Sequence, residues 1–590
     1  MGETLKKRIH NSLNAQLEKI CASARNVIAN TKKENMKKII RTNLFYLIIY
    51  FGCTADLNAQ RVYPLVSGIS VDSIYKVRAG ATKLAMDPLS GRLFYSTVGG
   101  EIYEVYNPET GFASDTLRYT ATNHGITFLQ GLCFRDSAIY VCGNIWSNTT
   151  SIGKIVKGTL QPNGTRIWAD VVTTDSYPSA SSSGDHGFSA VCIDPSGTYI
   201  YVSSGARTSF GEIRSNGGVW PGKREVPLTS RIFKFPINSI GLILPNDSIL
   251  IDNSGFVFAW GTRNAYDMAW DSNDKLFAID NSGERDDPEE LNWLRQGKHY
   301  GFPWRMGGND NPLRISPYIV NSDLLVNHMS GGYLAGWFAD DPTFPSVPLG
   351  TNFMEPVRNY GNDADYFRDS ITGKVKNASD EGTYISSFTS HRSPLGLVFD
   401  RDSALAFPFR GDGFVMSFMP GGDSIGYTPL SPWGSPCPFI DPSRELVQMR
   451  LTYNSSIDNY TMTNTNIVEG FYLPVDAELV SNDLYVIENG GSLWKITFPL
   501  YVGIDEIENT NNLTAYPNPF NHSTTLKFNN PNGIKYSCTV YNVYGQIVRC
   551  IKNVITDKIE FERLNLINGI YFIKLESENK TLITGKLIIE

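Results

Sequence analysis

A histidine stands where it could accept a proton from a hydroxyl group. His186 follows Asp185 and precedes Gly187, in a loop that leads into the apolar run starting at Phe188. Imidazole titrates within the physiological range, so a histidine beside a substrate can act as a general base. A single histidine in a loop is also a common structural residue, and the spacing alone leaves both interpretations open.

An acidic stretch further along the chain suits a hard cation. The sequence DNSGERDDPEELN, residues 280–292, combines many carboxylates with the carbonyl-exposing pair Ser282-Gly283. Calcium takes about six to eight oxygen ligands, so this composition favours a calcium site. Asp286, Asp287 and Glu289 also fit a solvated acidic loop, which is the usual role of such a run.

An arginine between these two segments could hold an anionic ligand. Arg263 stands beside Asn264, directly before another apolar run. A planar guanidinium binds a carboxylate through two parallel hydrogen bonds, so Arg263 is a candidate ligand-binding residue. An ion pair with a structural aspartate such as Asp267 is the alternative.

The elements that must position these residues repeat along the chain from Tyr63 to Phe498. Apolar runs lead into polar turns and then into runs rich in Tyr, Phe and Val, as in GLCFRDSAIYVCG and DMAWDSNDKLFAIDN. Each unit predicts strand, turn and strand, and about six such units predict a six-bladed β-propeller. The fold class is therefore mainly β, and separate sandwiches are disfavoured because nothing linker-like divides the units. Residues 284–318 and 320–385 break the rhythm and are predicted to be insertions that shape a binding face.

Two cysteine pairs flank predicted turns. A two-residue turn at Ser137-Ala138 would place Cys133 directly opposite Cys142, within reach of a disulfide. Cys538 and Cys550 flank a second turn in a similar way. Free core cysteines are the alternative in both cases.

The formal net charge of −7 gives no basic field for nucleic acid.

The N-terminal residues contain a pattern that is typical of exported proteins. Residues 36–60 have a basic start, a short apolar run and small residues at the end, which predicts a signal peptide. The apolar run is too short to span a membrane. Residues 1–35 are interpreted as an N-terminal extension that is not necessarily translated.

The C-terminal residues 513–590, which follow a polar linker at 501–512, alternate as in a small β-sandwich. They contain YPNPF from Tyr516 to Phe520, the Tyr544-Gly545 turn, Gly569-Ile570-Tyr571 and a closing Gly585-Lys586-Leu587. These motifs closely resemble the C-terminal sorting domain of the type IX secretion system. The resemblance implies that this secretion machinery exports the chain through the outer membrane, to the medium or the cell surface. A resident adhesive or carbohydrate-binding sandwich is the alternative.

The propeller, predicted over residues 61–500, resembles the glucose/sorbosone dehydrogenase family. The segments GDHGFSAVCIDPSGTYIYVSSG, GTRNAYDMAWDSNDKLFAIDNSG and PEELNWLRQGKHYGFPW carry the resemblance. It implies a soluble quinoprotein with six blades that binds pyrroloquinoline quinone (PQQ) and calcium. The residues at 306–385 have no counterpart in the best-known members.

The resemblance also implies roles for individual residues. It makes His186 the base and Asp185 the residue that orients it, with Arg263 in the catalytic centre. It implies PQQ contacts from Arg263, Asn264, Asn281 and Arg410. It also implies a calcium ion held by the backbone oxygens of Ser282 and Gly283, and further calcium at Glu290, the backbone of Tyr300 and Asp310. The chain departs from the family pattern at Ala265-Tyr266, at Tyr472-Leu473 and at Ala206, where other contacts are usual.

These observations predict a secreted, calcium-dependent oxidoreductase that oxidises a sugar or related alcohol and passes electrons to an external acceptor. No zinc-spaced His/Cys set, phosphate loop or Gly-x-Ser-x-Gly elbow competes with this interpretation. A non-catalytic propeller that binds glycans or surface partners, and a calcium-dependent propeller lactonase, are the alternatives.

Overall fold

The computed structural model divides the protein into two compact units. One contains the chain up to Ala404 together with Gly411–Phe498, and the other contains Leu405–Arg410 together with Pro499–Glu590. The predicted extension, signal peptide and linker lie outside the described residues. The described residues are 62–109, 111–180, 185–328, 330–419, 421–422, 440–441, 444–500, 513–530, 533–577 and 582–590.

The first unit is a closed ring of six sheets around a channel. Each sheet contributes one inner strand, and each inner strand contacts the next, with the last in contact with the first. The ring confirms the predicted six-bladed β-propeller. The inner strands of blades 1 to 6 are Ala81–Asp87, Phe128–Arg135, Phe188–Ile193, Ala265–Trp270, Pro394–Phe399 and Pro474–Val480.

The remaining strands of the first three blades follow outward in antiparallel order, with short additions at the edges. Blade 1 continues with Arg92–Thr97, Ile102–Tyr106 and Ser114–Tyr119. Blade 2 continues with Ala138–Trp146, Thr150–Leu160 and Arg166–Thr174, and adds Tyr177–Pro178 and Leu242–Leu244. Blade 3 continues with Tyr199–Ser204, Arg231–Pro236 and Val257–Trp260, and adds Lys298–His299.

The other three blades include the point where the ring closes. Blade 4 has only two further strands, Leu276–Asp280 and Glu290–Leu294. Blade 5 continues with Gly413–Ser417, Glu445–Asn454 and Asn459–Glu469, and adds Tyr63–Pro64 and Arg358–Asn359. Blade 6 continues with Asp483–Glu488 and Ser492–Thr497, and its outermost strand is Ser70–Lys76 from the start of the propeller.

The turn between the first two strands of blade 2 differs from the prediction. Arg135 pairs with Ala138, so the turn residues are Asp136 and Ser137, and Asp136 takes a left-handed φ of 51°. This one-residue shift, with a bulge near Gly131, places Tyr140 opposite Cys133. The predicted Cys133–Cys142 register is therefore wrong, because moving the turn by one residue shifts the strand pairing by two residues. The two cysteines still face the same core but are not opposite each other.

The cysteines of the second predicted pair are also offset. Cys538 pairs with Ile551, and Cys550 pairs with Thr539, so the two thiols do not face each other. All five cysteines of the described residues, at positions 133, 142, 192, 538 and 550, are free.

Short elements fill the long connection between blades 4 and 5. They include the helix Gly331–Leu334 and the 3-10 turns Pro312–Arg314 and Val320–Ser322. Phe210, from the loop after the second strand of blade 3, stacks on Phe338 with ring centroids 4.3 Å apart. The insertion is thus packed onto the propeller. The other short elements are the strand pairs Arg305–Met306 with Asn309–Asp310 and Tyr366–Arg368 with Val375–Asn377, the pair Gly421–Gly422 with Ile440–Asp441, and the helices Ala121–His124 and Ser248–Asn253.

The C-terminal residues form the predicted small β-sandwich. One sheet contains Thr514–Tyr516, Ser523–Lys527 and Lys558–Glu562, and the other contains Ile547–Val554, Tyr536–Asn542, Gly569–Ser577 and Leu582–Ile589. The two sheets enclose one core, in which Leu526, Val540, Phe561 and Leu575 are fully buried. The alternation of the sequence places these apolar side chains on the inner faces. Across the described residues, no helix has both the length and the apolar character to cross a membrane.

Candidate active site

His186 lies at one end of the channel, directly before the inner strand of blade 3. Its backbone N–H donates to the carbonyl of Ala206 at 2.8 Å, which fixes the loop against the end of the second strand. Gly205 makes room for the imidazole, because a Cβ at this position would lie 2.4 Å from the Cβ of His186. The ring nitrogen Nε2 is buried and has no hydrogen-bond partner among the described residues. Burial, together with the nearby positive charge of Arg263, lowers the pKa of His186 to about 3.

Asp185 points away from the imidazole. Its carboxylate accepts hydrogen bonds from the hydroxyl of Ser179 at 2.9 Å and from the backbone N–H of Ala180 at 2.6 Å. Burial raises the pKa of Asp185 to about 7. Within the described part of the chain no hydrogen bond joins this carboxylate to His186, so any influence of Asp185 on the imidazole acts through the loop.

Arg263 approaches the same end of the channel from the loop before blade 4. Its Nε–H donates to the carbonyl of Ser209 at 2.7 Å, and its Nη1–H donates to the carbonyl of Asn281 at 3.0 Å. The guanidinium is buried and forms no ion pair with any described residue. The alternative of a pair with Asp267 is wrong, because Asp267 pairs with Lys83 at 2.9 Å. A buried cation without a direct anionic partner is costly, which makes this position suited to an anionic ligand.

Asn264 and Asn281 form a bridge beside Arg263. The amide of Asn264 donates to Oδ1 of Asn281 at 2.9 Å, and the amide of Asn281 donates to the carbonyl of Pro394 at 2.8 Å. Asp280 holds the loop in place, because its carboxylate accepts hydrogen bonds from the backbone N–H groups of Arg263 at 2.9 Å and Asn264 at 2.5 Å. The predicted residues His186, Arg263, Asn264 and Asn281 therefore converge on one end of the channel.

Ser282 and Gly283 lie at the same end of the channel, directly after Asn281. A Cβ on Gly283 would lie 2.8 Å from the carbonyl of Ser209 and 3.6 Å from Nε of Arg263. The hydroxyl oxygen of Ser282 is buried and has no partner among the described residues. The backbone N–H of Ser282 donates to Glu289 at 2.6 Å. This pair thus joins the site at which Arg263 and His186 meet.

The acidic residues after Gly283 are not a solvated loop. Asp286, Asp287 and Glu289 are each buried, with 1%, 5% and 1% of their surfaces exposed. Asp286 pairs with Arg368 at 2.8 Å and with Nε2 of His391 at 2.9 Å. The interpretation as solvated carboxylates is therefore wrong, because the insertion supplies cationic and hydrogen-bonding partners for them.

Two contacts near the site could not be predicted from the sequence, one made by Glu289 and one made by His391. Glu289 accepts the backbone N–H groups of Ser282 and, at 3.2 Å, of Ser393. His391 and Ser393 have positive φ values of 63° and 49°, and such strained backbone often occurs at functional sites. No pattern in the sequence indicated that the segment before blade 5 would return to residues 282–289.

The carboxylates predicted as further calcium ligands are held by other partners. Glu290 accepts the backbone N–H of Gly307 at 2.7 Å and the amide of Asn292 at 2.8 Å, and burial raises its pKa. Asp310 is exposed and pairs with Arg305 and Arg314, each at 3.1 Å. The side chain of Tyr300 is fixed through its hydroxyl, which donates to the carbonyl of Trp293 at 2.6 Å, and its backbone remains a predicted ligand. Among the described residues no group of three or more His, Cys, Asp or Glu side chains is arranged to hold a metal ion.

Arg410 and Arg207 donate to backbone carbonyls. Arg410 is exposed, its Nε–H donates to the carbonyl of Leu405 at 3.2 Å, and it belongs to the unit that contains Pro499–Glu590. Its contact with a cofactor remains a prediction. Arg207 is fully buried and donates to backbone carbonyls that include Pro178 at 3.0 Å and Arg214 at 2.7 Å. Arg207 therefore holds the loop rather than a ligand.

Residues 133–317 match the family model of the glucose/sorbosone dehydrogenases. This dehydrogenase match covers His186, Arg263 and the Ser282-Gly283 pair, and it confirms the resemblance found in the sequence. Residues 514–590 match the family described as the secretion system C-terminal sorting domain. The sorting domain directs the chain to secretion and cell-surface attachment through the type IX secretion system, as predicted. No curated protein matches the chain.

Several solved structures resemble the propeller at low sequence identity. The PQQ domain of pyranose dehydrogenase from Coprinopsis cinerea is 12% identical over 75% of this chain and 99% of its own, with a TM-score of 0.44. The soluble aldose sugar dehydrogenase from Escherichia coli is 14% identical over 73% of this chain and 100% of its own, with a TM-score of 0.43. The PQQ-bound aldose sugar dehydrogenase from Streptomyces coelicolor is 14% identical over 74% of this chain and 99% of its own, with a TM-score of 0.39.

Proposed function

We propose that the propeller is a secreted oxidoreductase that oxidises a hydroxyl group of a sugar or related alcohol with PQQ as the acceptor. One observation carries the proposal. Arg263 is a buried arginine that forms no ion pair with a described residue, and it lies near Nε2 of His186, a buried nitrogen without a hydrogen-bond partner among the same residues. The first group suits an anionic cofactor and the second suits a hydroxyl proton. The family match over residues 133–317 supports the same chemistry.

The residues at this end of the channel fit a polar, anionic quinone. Arg263 would bind one of its carboxylates, and the amides of Asn264 and Asn281 would contact its remaining polar atoms. The unpartnered hydroxyl of Ser282 supplies a further donor. The backbone carbonyls of Ser282 and Gly283 would hold a calcium ion next to the cofactor, since calcium prefers oxygen ligands. We propose Glu290, Tyr300 and Asp310 as ligands of further calcium.

His186 performs the proton transfer in this proposal. Its lowered pKa keeps the imidazole neutral across the physiological range, so Nε2 can accept the proton of the substrate hydroxyl. PQQ, when bound, would accept two electrons as the hydride from the carbon atom that carries this hydroxyl group. The alcohol thereby loses two hydrogens and becomes a carbonyl compound, and an external electron acceptor takes up the electrons.

The test measures cofactor binding and turnover separately. Calorimetry of the full-length protein with PQQ in calcium buffer should give saturable binding, and His186→Gln should retain it. Arg263→Gln should weaken binding by roughly 100-fold, since a charge-assisted bidentate contact is worth about 3 kcal/mol. Dye reduction on a panel of aldoses and alcohols should then fall at least 100-fold in His186→Gln.

Two outcomes would reject the proposal. If PQQ does not bind the wild-type protein, the site does not serve this cofactor, and the non-catalytic interpretation becomes the better one. If PQQ binds but dye reduction is the same in His186→Gln as in the wild type, the imidazole does not accept the proton.

A further inference from the structure

A cavity separate from the end of the channel lies on the outer part of blade 3. Its volume is about 530 Å³, and its lining includes Arg231, Trp260, His299, Trp304 and the loop 348–352. Ligand pockets in proteins commonly have volumes of about 300–1,000 Å³. The size therefore suits a small molecule or one or two rings of a longer one.

The floor of this cavity is a row of cross-strand partners. Arg231 pairs with Trp260, and Trp260 pairs with His299, so the three side chains project from the same face of the sheet. The same row runs inward through Ser204 to Phe188, next to the candidate active site. Strands lie about 4.8 Å apart, which puts Trp260 roughly 14 Å from Phe188 at the same end of the blade.

Aromatic rings supply the apolar part of the lining. The ring of His299 lies 5.5 Å from that of Trp304 and 5.2 Å from that of Phe353. The indole N–H of Trp304 donates to the carbonyl of Pro345 at 2.6 Å, which fixes that ring. Trp260 is half-buried, and its indole N–H forms no hydrogen bond with another described residue. Trp260 packs in part against the apolar core of the propeller, and the rest of its side chain lines the cavity.

The polar groups of the cavity are neutral or already compensated. Arg231 pairs with Asp252, so their charges offset each other. The backbone N–H of Gly301 donates to Nδ1 of His299 at 3.1 Å, which leaves the proton of the neutral ring on Nε2. Burial and Arg231 lower the pKa of His299 to about 4, so the ring is neutral.

Glu225 does not offer a free charge either. Its carboxylate accepts the backbone N–H groups of Arg207 at 2.8 Å and Thr208 at 2.9 Å. It also accepts the hydroxyl groups of Thr229 at 2.7 Å and Ser230 at 3.2 Å. A charged ligand would therefore find no unpaired partner among the described residues of this part of the cavity. A purely apolar ligand would leave the Nε2–H donor of His299 without a hydrogen bond.

We infer that this cavity is a binding site for a neutral saccharide. A sugar ring has an apolar C–H face that stacks on an indole and hydroxyl groups that both donate and accept hydrogen bonds. Trp260 supplies the stacking face, Nε2 of His299 donates, and the paired Arg231 and Asp252 donate and accept. The inference concerns binding alone and stands whether or not the protein oxidises its ligand.

The test is calorimetry of the full-length protein, without PQQ, against cello-, manno-, xylo- and maltotetraose. We expect saturable binding of at least one of them. Trp260→Ala should raise its Kd by about tenfold or more, since loss of an aromatic contact costs about 1.4 kcal/mol on this scale. Trp260→Phe keeps a stacking face and should raise the Kd by less than about threefold.

The matched control is Trp220→Ala, a half-buried tryptophan outside the cavity whose indole donates to the carbonyl of Thr149 at 2.6 Å. The Kd of this variant should equal that of the wild type. Absence of saturable binding to all four saccharides overturns the inference, as does binding that Trp260→Ala leaves unchanged. Failure of the proposed oxidation would appear separately, as missing PQQ binding or turnover.

Discussion

The ammonium group of Lys83 lies 2.9 Å from Oδ1 of Asp267 and joins the inner strands of blades 1 and 4 across the channel. It also lies 3.6 Å from Oδ1 of Asp476 on blade 6. The side chain of Lys83 is only 4% exposed. Burial alone would lower its pKa, but the two carboxylates hold the pKa above its usual value. Three blades thus meet at one cation in the middle of the ring.

Lys83→Met should destabilise the propeller strongly. Removing the cation leaves Asp267 and Asp476 buried near each other without compensation, which costs about 3–5 kcal/mol for a buried pair. Denaturant unfolding should report this loss. Lys495→Met is the control, because Lys495 pairs with the half-exposed Glu109 and should cost less than about 1 kcal/mol. Equal effects of the two substitutions would contradict the role of Lys83.

His186→Gln should change the pH dependence of stability. The pKa of His186 is about 3 in the folded protein and 6.5 as its ordinary value. Between these values the unfolded chain binds a proton that the folded chain does not, so the wild type loses stability as pH falls from 6.5 towards 3. Relative to the variant, the wild type should lose about 3 kcal/mol between pH 7 and pH 4. Parallel stability curves for the two proteins would show that this imidazole is not held neutral.

Gly205→Ala should displace the imidazole without breaking the fold. The added Cβ would meet the Cβ of His186 at 2.4 Å, so the side chain must shift. A misplacement of about 1 Å at a catalytic group can cost roughly 100-fold in rate, and we expect kcat for the proposed dehydrogenase to fall at least tenfold. Gly111→Ala is the control, because a Cβ there has no neighbour within 4 Å. An active Gly205→Ala protein would argue against His186 as the base.

Calcium should stabilise the protein through Glu290 if the proposed ligands are correct. Adding calcium to protein treated with a chelator should raise the Tm, since a ligand at about 100 times its Kd adds about 2.7 kcal/mol. Glu290→Gln should make this rise smaller, since it removes a ligand of the further calcium, whereas His186→Gln should retain the full rise. An undiminished rise in Glu290→Gln would show that Glu290 is not a ligand, and no rise in the wild type would reject the calcium sites.

The fold could be predicted from sequence because alternation and turn residues act locally. The repeated strand and turn units gave the six blades, and the C-terminal motifs gave the sandwich. The turn after Arg135 was misplaced by one residue, because Asp136 tolerates a left-handed φ that the pattern does not reveal. Local signals specify strands well and register less well.

The site was only partly predictable for a different reason. His186 and Arg263 each stand next to an inner strand, so a local motif brings them to the channel. Glu289 and His391 are brought together because the long insertion returns the chain to residues 282–289. Nothing in the sequence between these two residues indicates that return. The buried partner of His391, Asp286, is visible only once the chain is folded.

The closure of blade 6 has a consequence for the order of events during export. The strand Ser70–Lys76 is made first, but its partner Ser492–Thr497 is among the last segments before the sorting domain. Such a distant pairing is slow to form and cannot form on a partial chain. The sorting domain follows this partner in sequence, so a chain that presents it already contains every strand of the ring. Because the sorting domain lies at the C-terminal end, a chain that reaches the secretion machinery through it already contains every strand needed to close the propeller.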